Sequence, residues 1–292
     1  MNMNQEKTKE ALAKIENALQ NINTDADWLA FLSFSSKFYR YSARNSLLIY
    51  VQRPQASYVK GYRAWNDLGR YVKKGAKGIA ILAPCTRTIE VFKELENKTE
   101  YQDAEAEKVK KTILSGFRIV YVYDISDTDG SDEHIPVLVK GLSGGGEEEA
   151  ALYERLKAVI SREYTIKEVV GIAPNGGAKG SYSRATGIIS IRGDLEPVQK
   201  CKTILHELAH AVDFELNPDE DIPRNKRELI AESVAFTLAS RLNLDTIRYS
   251  VGYIKSWMKD ENELMSIADT VQRVSAAIIE KLAESSDFAF LI

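Results

Sequence analysis

Three histidines are all this 292-residue chain has, and two of them stand four residues apart in Thr203-Ile-Leu-His206-Glu207-Leu-Ala-His210-Ala-Val212. On a helix, positions i and i+4 share one face, so both imidazoles can reach a single metal ion. Glu207 follows the first histidine and projects toward the space beside that metal, where it can take a proton from a water molecule. Positions 203–205, 208–209 and 211–212 carry no charge, as expected of a buried helix that keeps a metal pocket dry. The competing reading is a buried helix with two core histidines and an incidental glutamate. The apolar flanks, together with a suitable ligand downstream, favour the metal.

Two histidines leave a hydrolytic zinc one protein ligand short. A polar loop after residue 214 lets the chain reverse, and the next helix offers Glu228-Leu-Ile-Ala-Glu232, two carboxylates one turn apart. One should ligate Zn2+. The other should hold the far nitrogen of a ligating histidine and fix its tautomer. By analogy with metallopeptidases of the thermolysin type, Glu228 is the ligand and Glu232 the orienting partner or alternative ligand. Asp213 is a third candidate, but it would have to bend back at the helix end. Cys201 falls on another face of the helix and reads as core packing.

No apolar run approaches the roughly 20 residues of a membrane span. Two distant cysteines, Cys85 and Cys201, make no disulfide framework, and the first residues lack a signal-peptide pattern. These features predict a cytoplasmic protein with no membrane partner. The net charge of −3 hides an asymmetry: residues 37–78 hold ten Lys or Arg against one acid, Asp67, so that segment is about +9 and the remainder about −12. The same segment carries eight aromatics. Cations that track phosphates, interleaved with rings on which bases stack, suit single-stranded DNA. A solvated basic face over a tyrosine-rich core would give the same composition. The candidate contacts are Arg44, Lys60, Arg63, Trp65, Arg70, Lys73, Lys74 and Lys77, with Tyr39, Tyr58 and Tyr62 as further stacking rings.

Along the chain, residues 5–22 read as an amphipathic helix and Trp28 to about Tyr50 as a continuing helical pattern. Ser57–Tyr62 alternates like a strand, Ile79–Ala83 is a buried strand closed by Pro84, and residues 86–116 are a hairpin or surface excursion. Phe117–Tyr123 is another strand. Gly141-Leu-Ser-Gly-Gly-Gly146 with Glu147–Glu149 reads as a linker, which divides the chain into domains 1–140 and 150–292. The second domain opens with a helix over 148–162. Strands follow near 165–170, 179–184 and 187–191, and then the His206 helix from Pro197. Helices near 225–242, 246–258 and 261–284 complete it. The fold class is α+β with two domains.

Both halves resemble a known family. Residues 150–285 resemble the metallopeptidase domain of ArdC-like antirestriction proteins, related to the ImmA/IrrE zinc peptidases. The matching residues are Ser181-Tyr182, Ile189, Ile191, Leu205–His210, Glu228–Glu232 and Gly252–Trp257. Residues 28–125 are similar to the ArdC single-stranded-DNA-binding domain through Asn45–Ile49, Gln52, Gly61–Trp65, Gly69–Gly75, Gly78-Ile79, Pro84 and Val120–Asp124. The excursion at 86–116 is longer than that family leads one to expect. The resemblance implies a zincin-like domain joined to a DNA-binding one, in a mobile-element protein that binds incoming single-stranded DNA during conjugation and opposes restriction.

The reading that follows is a zinc-dependent endopeptidase tethered to single-stranded DNA, acting on a peptide or protein. Zinc polarises the scissile carbonyl, Glu207 is the general base, and Tyr182 is a candidate donor to the oxyanion. Two alternatives stand beside it: a non-catalytic DNA protector with a structural zinc, and a peptidase acting on DNA-attached proteins.

Overall fold

The computed structural model describes residues 3–92, 108–133, 135, 146–170, 178–218, 221–246 and 261–292. Three helices open the chain: α1 (Met3–Gln20), α2 (Asp25–Ser35) and α3 (Ala43–Gln52). The helical pattern from Trp28 to Tyr50 is therefore broken in two. The local chemistry explains the break, since each new helix has its own cap. Thr24 and Asp27 form a capping box at the start of α2. The Ser42 hydroxyl accepts the Asn45 N–H at 3.3 Å at the start of α3.

The β-structure of this half is β1 (Val59–Gly61), β2 (Arg70–Val72), β3 (Ile79–Phe92), β4 (Lys108–Asp124) and β5 (Thr128–Gly130), with the short α4 (Tyr62–Asp67) between β1 and β2. One antiparallel sheet has the order β1-β4-β3, and β2 pairs separately with β5. Two expectations are corrected here. The alternation at 57–62 yields only three strand residues before turning helical. Pro84 does not close its strand either: β3 continues past it, with Pro84 opposite Phe117. A proline is tolerated there because β3 is an edge strand and needs no outward N–H. Residues 86–92 and 108–116 do form the two arms of a hairpin, bulged between Cys85 and Thr86.

Asp124 fastens the end of β4 to the turn before β1. It is 2% exposed, and its carboxylate accepts the N–H groups of Ser57 at 2.8 Å and Ser126 at 3.0 Å, and the Ser126 hydroxyl at 2.6 Å. Burial pushes the acid up, but these donors outweigh it and hold its pKa below the ordinary carboxylate value. Asp124→Asn keeps the shape but can turn an NH2 group toward the backbone donors. We expect a loss of about 2–3 kcal/mol at neutral pH. Because the folded pKa is depressed, this stabilisation is complete above the unfolded value of about 4 and disappears as pH falls through the folded one. Urea melts of wild type and variant should therefore diverge at pH 7 and draw together as pH falls below the ordinary carboxylate range.

The second half runs α5 (Gly146–Ile160), β6 (Thr165–Val169), β7 (Gly180–Ser183), β8 (Ile188–Arg192), α6 (Pro197–Leu216), α7 (Arg224–Arg241) and α8 (Glu261–Ala283). Gly146–Glu149 belong to the first turn of α5 rather than to a linker. Three glutamates at a helix N-terminus complement its dipole. Residues 141–145 and the helix expected at 246–258, except for its first residue, lie outside the described residues. Strand β8 pairs parallel with β6 and antiparallel with β7, which leaves β7 at the sheet edge.

The two halves share one hydrophobic core that runs from Ala11 and Trp28 through Leu156 and Leu205 to Phe288. Trp28, 1% exposed, donates its indole N–H to Ser233 Oγ of α7 at 3.0 Å. Arg241 of α7 donates to the carbonyl of Ser36, and Gln272 of α8 to that of Phe38, each at 3.0 Å. The N-terminal helices thus buttress the back of the helix that carries Glu228 and Glu232. The architecture is α+β. No described helix is long and apolar enough to cross a membrane.

Candidate metal centre

Helix α6 starts where the sequence places Pro197, suited to a first turn because its missing N–H has no intrahelical partner to lose. Its apolar face, Cys201, Ile204, Leu205, Leu208, Ala211 and Val212, is buried and leaves His206 and His210 directed into a groove. Their rings lie 4.8 Å apart, edge to face. Helix α7 packs beside α6 and brings Glu228 Oε2 to 3.4 Å from His206 Nε2 and 3.6 Å from His210 Nε2. Among the described residues, His206, His210 and Glu228 are the group whose ligand atoms converge, all within 4.8 Å of one another.

Glu232 approaches His206 from the other side, its Oε2 3.4 Å from Nδ1, and its second oxygen pairs with Lys202. Glu228 and Glu232 therefore divide between the two nitrogens of one imidazole. Asp213, the third carboxylate considered, is turned away. It accepts from Arg227 at 2.8 Å and from Asn217 Nδ2 at 2.7 Å. Glu207, 6% exposed, faces the groove and takes the backbone N–H of Tyr182.

Burial alone would depress the His206 pKa, but Glu228, Glu232 and Glu207 reverse this and push it up to about 9. Glu228 is held far below its ordinary value by the two imidazoles. Burial raises Glu207, and the imidazoles temper the shift. The pocket thus draws positive charge to the point where the two Nε2 atoms and Oε2 meet. A divalent cation suits that point, and two imidazoles with one carboxylate are a donor set that zinc accepts.

Three neighbours of the site, Lys202, Arg227 and Gly180, were missed in the sequence. Lys202 stands one turn before His206 on the same face, a position that could have been read from spacing. Arg227 pairs with Asp213, a partnership that no local pattern announces. Gly180 is an isolated glycine in a strand, which signals close approach. A Cβ there would lie 2.6 Å from Thr203 Cγ2 and 2.8 Å from Glu207 Oε1. Gly180→Ala should displace Glu207 and lower any hydrolysis at this centre at least about tenfold, with metal content unchanged. Steady-state kinetics with elemental analysis would check this. Tyr182 packs its ring toward Tyr164 and Phe214, 6.4 and 6.3 Å between centroids.

The proposed DNA contacts scatter more. Trp65 is fully buried and donates to the Tyr123 carbonyl at 2.9 Å, so its ring is not offered to a base. Tyr39 is also buried, beneath Arg241. Arg70 is 7% exposed and spans the β2–β5 pair through Thr128, Gly130 and Asp132. Arg44 pairs with Asp269 of α8 at 3.1 Å. Lys73 pairs with Asp129 at 3.3 Å yet remains at the surface. Arg63, Lys74 and Lys77 are exposed, Lys60 lies over the Tyr58 ring, and Tyr62 and Tyr71 are 53% and 63% exposed.

Residues 1–123 match the N-terminal domain of the anti-restriction factor ArdC, and residues 167–269 match the IrrE N-terminal-like domain of the M78 peptidases. The chain joins an ArdC-type domain to an IrrE-like domain. A Bacillus anthracis protein described as uncharacterized is 25% identical over 297 aligned residues, covering 92% of this chain and 49% of that one. The chain thus spans about half the length of this relative. Two crystal structures of the antirestriction protein ArdC from plasmid R388 are also similar. The metal-free one has 20% identity and TM-score 0.47, and covers 84% of this chain and 86% of its own. The Mn(II)-bound one has 18% identity and TM-score 0.48, and covers 83% and 85%.

Proposed function

We propose that this chain is an antirestriction-type protein of a mobile element, in which a zinc-dependent endopeptidase is joined to a single-stranded-DNA-binding domain. The observation that carries the catalytic half is the convergence of His206 Nε2, His210 Nε2 and Glu228 Oε2 beside the buried Glu207. His206, His210 and Glu228 would hold zinc, and the bound ion would supply Lewis acidity toward a carbonyl oxygen. Glu232, braced by Lys202, fixes His206 with Nε2 turned to the metal. Glu207 accepts a proton from the attacking water and can return it to the leaving amine. The Tyr182 N–H faces away from β8, so by strand alternation the backbone of Gly180 does too. An extended peptide can therefore pair with the β7 edge and lie across Glu207.

The surface cations Lys60, Arg63, Lys73, Lys74 and Lys77, with Tyr58, Tyr62 and Tyr71, support DNA binding by the N-terminal half, with the division placed ahead of α5. Single strands should bind better than duplex, because rings stack only on unpaired bases. The log–log salt slope should be about −0.7 per neutralised phosphate, and Lys74→Ala with Lys77→Ala should flatten it by about 1.4. Tyr71→Ala should cost about 1–3 kcal/mol with the slope unchanged. Fluorescence titration of the full chain with labelled oligonucleotides checks this, and salt-indifferent affinity would refute it. The peptidase half is tested by incubating zinc-loaded protein with unfolded protein substrates, where cleavage should stop with a chelator and return with zinc.

A further inference from the structure

We infer that the groove takes a polypeptide bearing an acidic side chain one or two residues from the cleaved bond, seated against Phe214 and the guanidinium groups of Arg224 and Arg227. This rests on the peptidase reading above and names its substrate class. The groove, about 770 Å³, is lined by α6 on one side and by residues 178–182 on the other, and it passes from the histidines to Phe214 in the last turns of α6. Around the histidines, at its centre, the lining is carboxylate-rich: Glu207, Glu228 and Glu232. Toward Phe214 it is basic through Arg224 and Arg227, and on the other side Lys179 and Lys202 line it, Lys202 paired with Glu232.

That basic end is built rather than incidental. The Arg227 guanidinium carbon lies 4.2 Å from the Phe214 ring centre, and that of Arg184 lies 5.0 Å away. The Arg227 side chain is 11% exposed and held by Asp213, which is 2% exposed and also takes Asn217. Arg184 donates Nη2 to the Pro218 carbonyl at 3.1 Å. Arg224 lines the same groove with its side chain 94% exposed, 3.9 Å from Glu228. A guanidinium fixed by stacking and pairing, as that of Arg227 is, loses less freedom on meeting a carboxylate, and the exposed Arg224 beside it adds a second charge.

Distance sets the position of the acidic residue. Phe214 follows His210 by four residues, about one helical turn or 5–6 Å along α6. An extended peptide advances about 3.3 Å per residue, so a side chain reaching Phe214 belongs to the first or second residue from the scissile bond. A DNA strand suits the groove less well. A polyphosphate needs cations along its whole length, whereas the three glutamates at the centre would repel it. One carboxylate needs only the basic end.

The test uses the zinc-loaded full chain and a library of proteome-derived peptides of known sequence, with cut sites read by mass spectrometry. Asp or Glu should be enriched at one fixed position within two residues of the cut. Matched Glu and Gln peptides should differ about tenfold in kcat/KM, as expected for one charge-assisted contact. Arg224→Glu, at a side chain too exposed to endanger the fold, should erase that ratio and turn the preference toward Lys and Arg. Binding of the same fluorescent pair to the Glu207→Gln protein gives a readout without turnover and should show the same order. Cleavage with no acidic preference, or a preference indifferent to Arg224→Glu, overturns the inference and leaves the peptidase reading standing. No cleavage of any peptide overturns both. Weaker single-stranded-DNA binding by Arg224→Glu, with peptide preference intact, would assign the basic end to DNA and overturn the inference alone.

Discussion

Glu207→Gln should lower peptide hydrolysis by about 10² to 10⁴ while leaving fold, metal content and DNA affinity as they were. The size follows from the role. Glu207 is a buried carboxylate that faces the groove, and glutamine keeps its volume and can still accept the Tyr182 N–H, but it cannot take a proton at neutral pH. Its surroundings suit a base. Burial raises its pKa and the two imidazoles restrain the rise, which moves it toward the pH at which it must both gain and lose a proton. Steady-state kinetics would measure the loss, with zinc by elemental analysis and circular dichroism as controls. The same experiment separates enzyme from protector. A non-catalytic protein with a structural zinc needs no base, so equal activity of wild type and Glu207→Gln on every substrate cleaved would favour that reading.

How much of this was legible in the sequence depends on how local each cause is. The i, i+4 spacings of His206 with His210 and of Glu228 with Glu232 are helix geometry, so the faces that meet could be read directly. The role of Asp213 could not, because its partner Arg227 arrives from the next helix. Composition misled in the N-terminal half. Trp65 and Arg70 counted as a ring and a cation among many, and only tertiary packing shows one filling the core and the other tying β2 to β5. Pro84 looked like a strand end because a single sequence does not reveal which strand lies at a sheet edge. The shared core was hidden for the same reason. Trp28 and Ser233 are 205 residues apart in sequence, yet they meet in a hydrogen bond.

That shared core also shapes the second large effect, the response to losing the metal. His206→Ala or His210→Ala should abolish stoichiometric zinc, since either leaves two protein ligands where a hydrolytic site uses three. Glu228→Gln should act almost as strongly. Glu232→Gln should weaken zinc only about 10–100-fold, because it touches the metal through His206 alone. The contrast between the two glutamates tests the assignment, and equal losses would mean both ligate. Zinc at about a thousand times its Kd stabilises the folded chain by about 4 kcal/mol. A chelator should therefore lower the thermal midpoint of wild type by several degrees and that of His206→Ala hardly at all. Because α2 packs on α7 through Trp28, loosening α7 should be felt in the N-terminal half as well. Hydrogen exchange on metal removal should increase in α2 together with α6 and α7. Protection unchanged in α2 would mean that the two halves respond to the metal separately despite their common core.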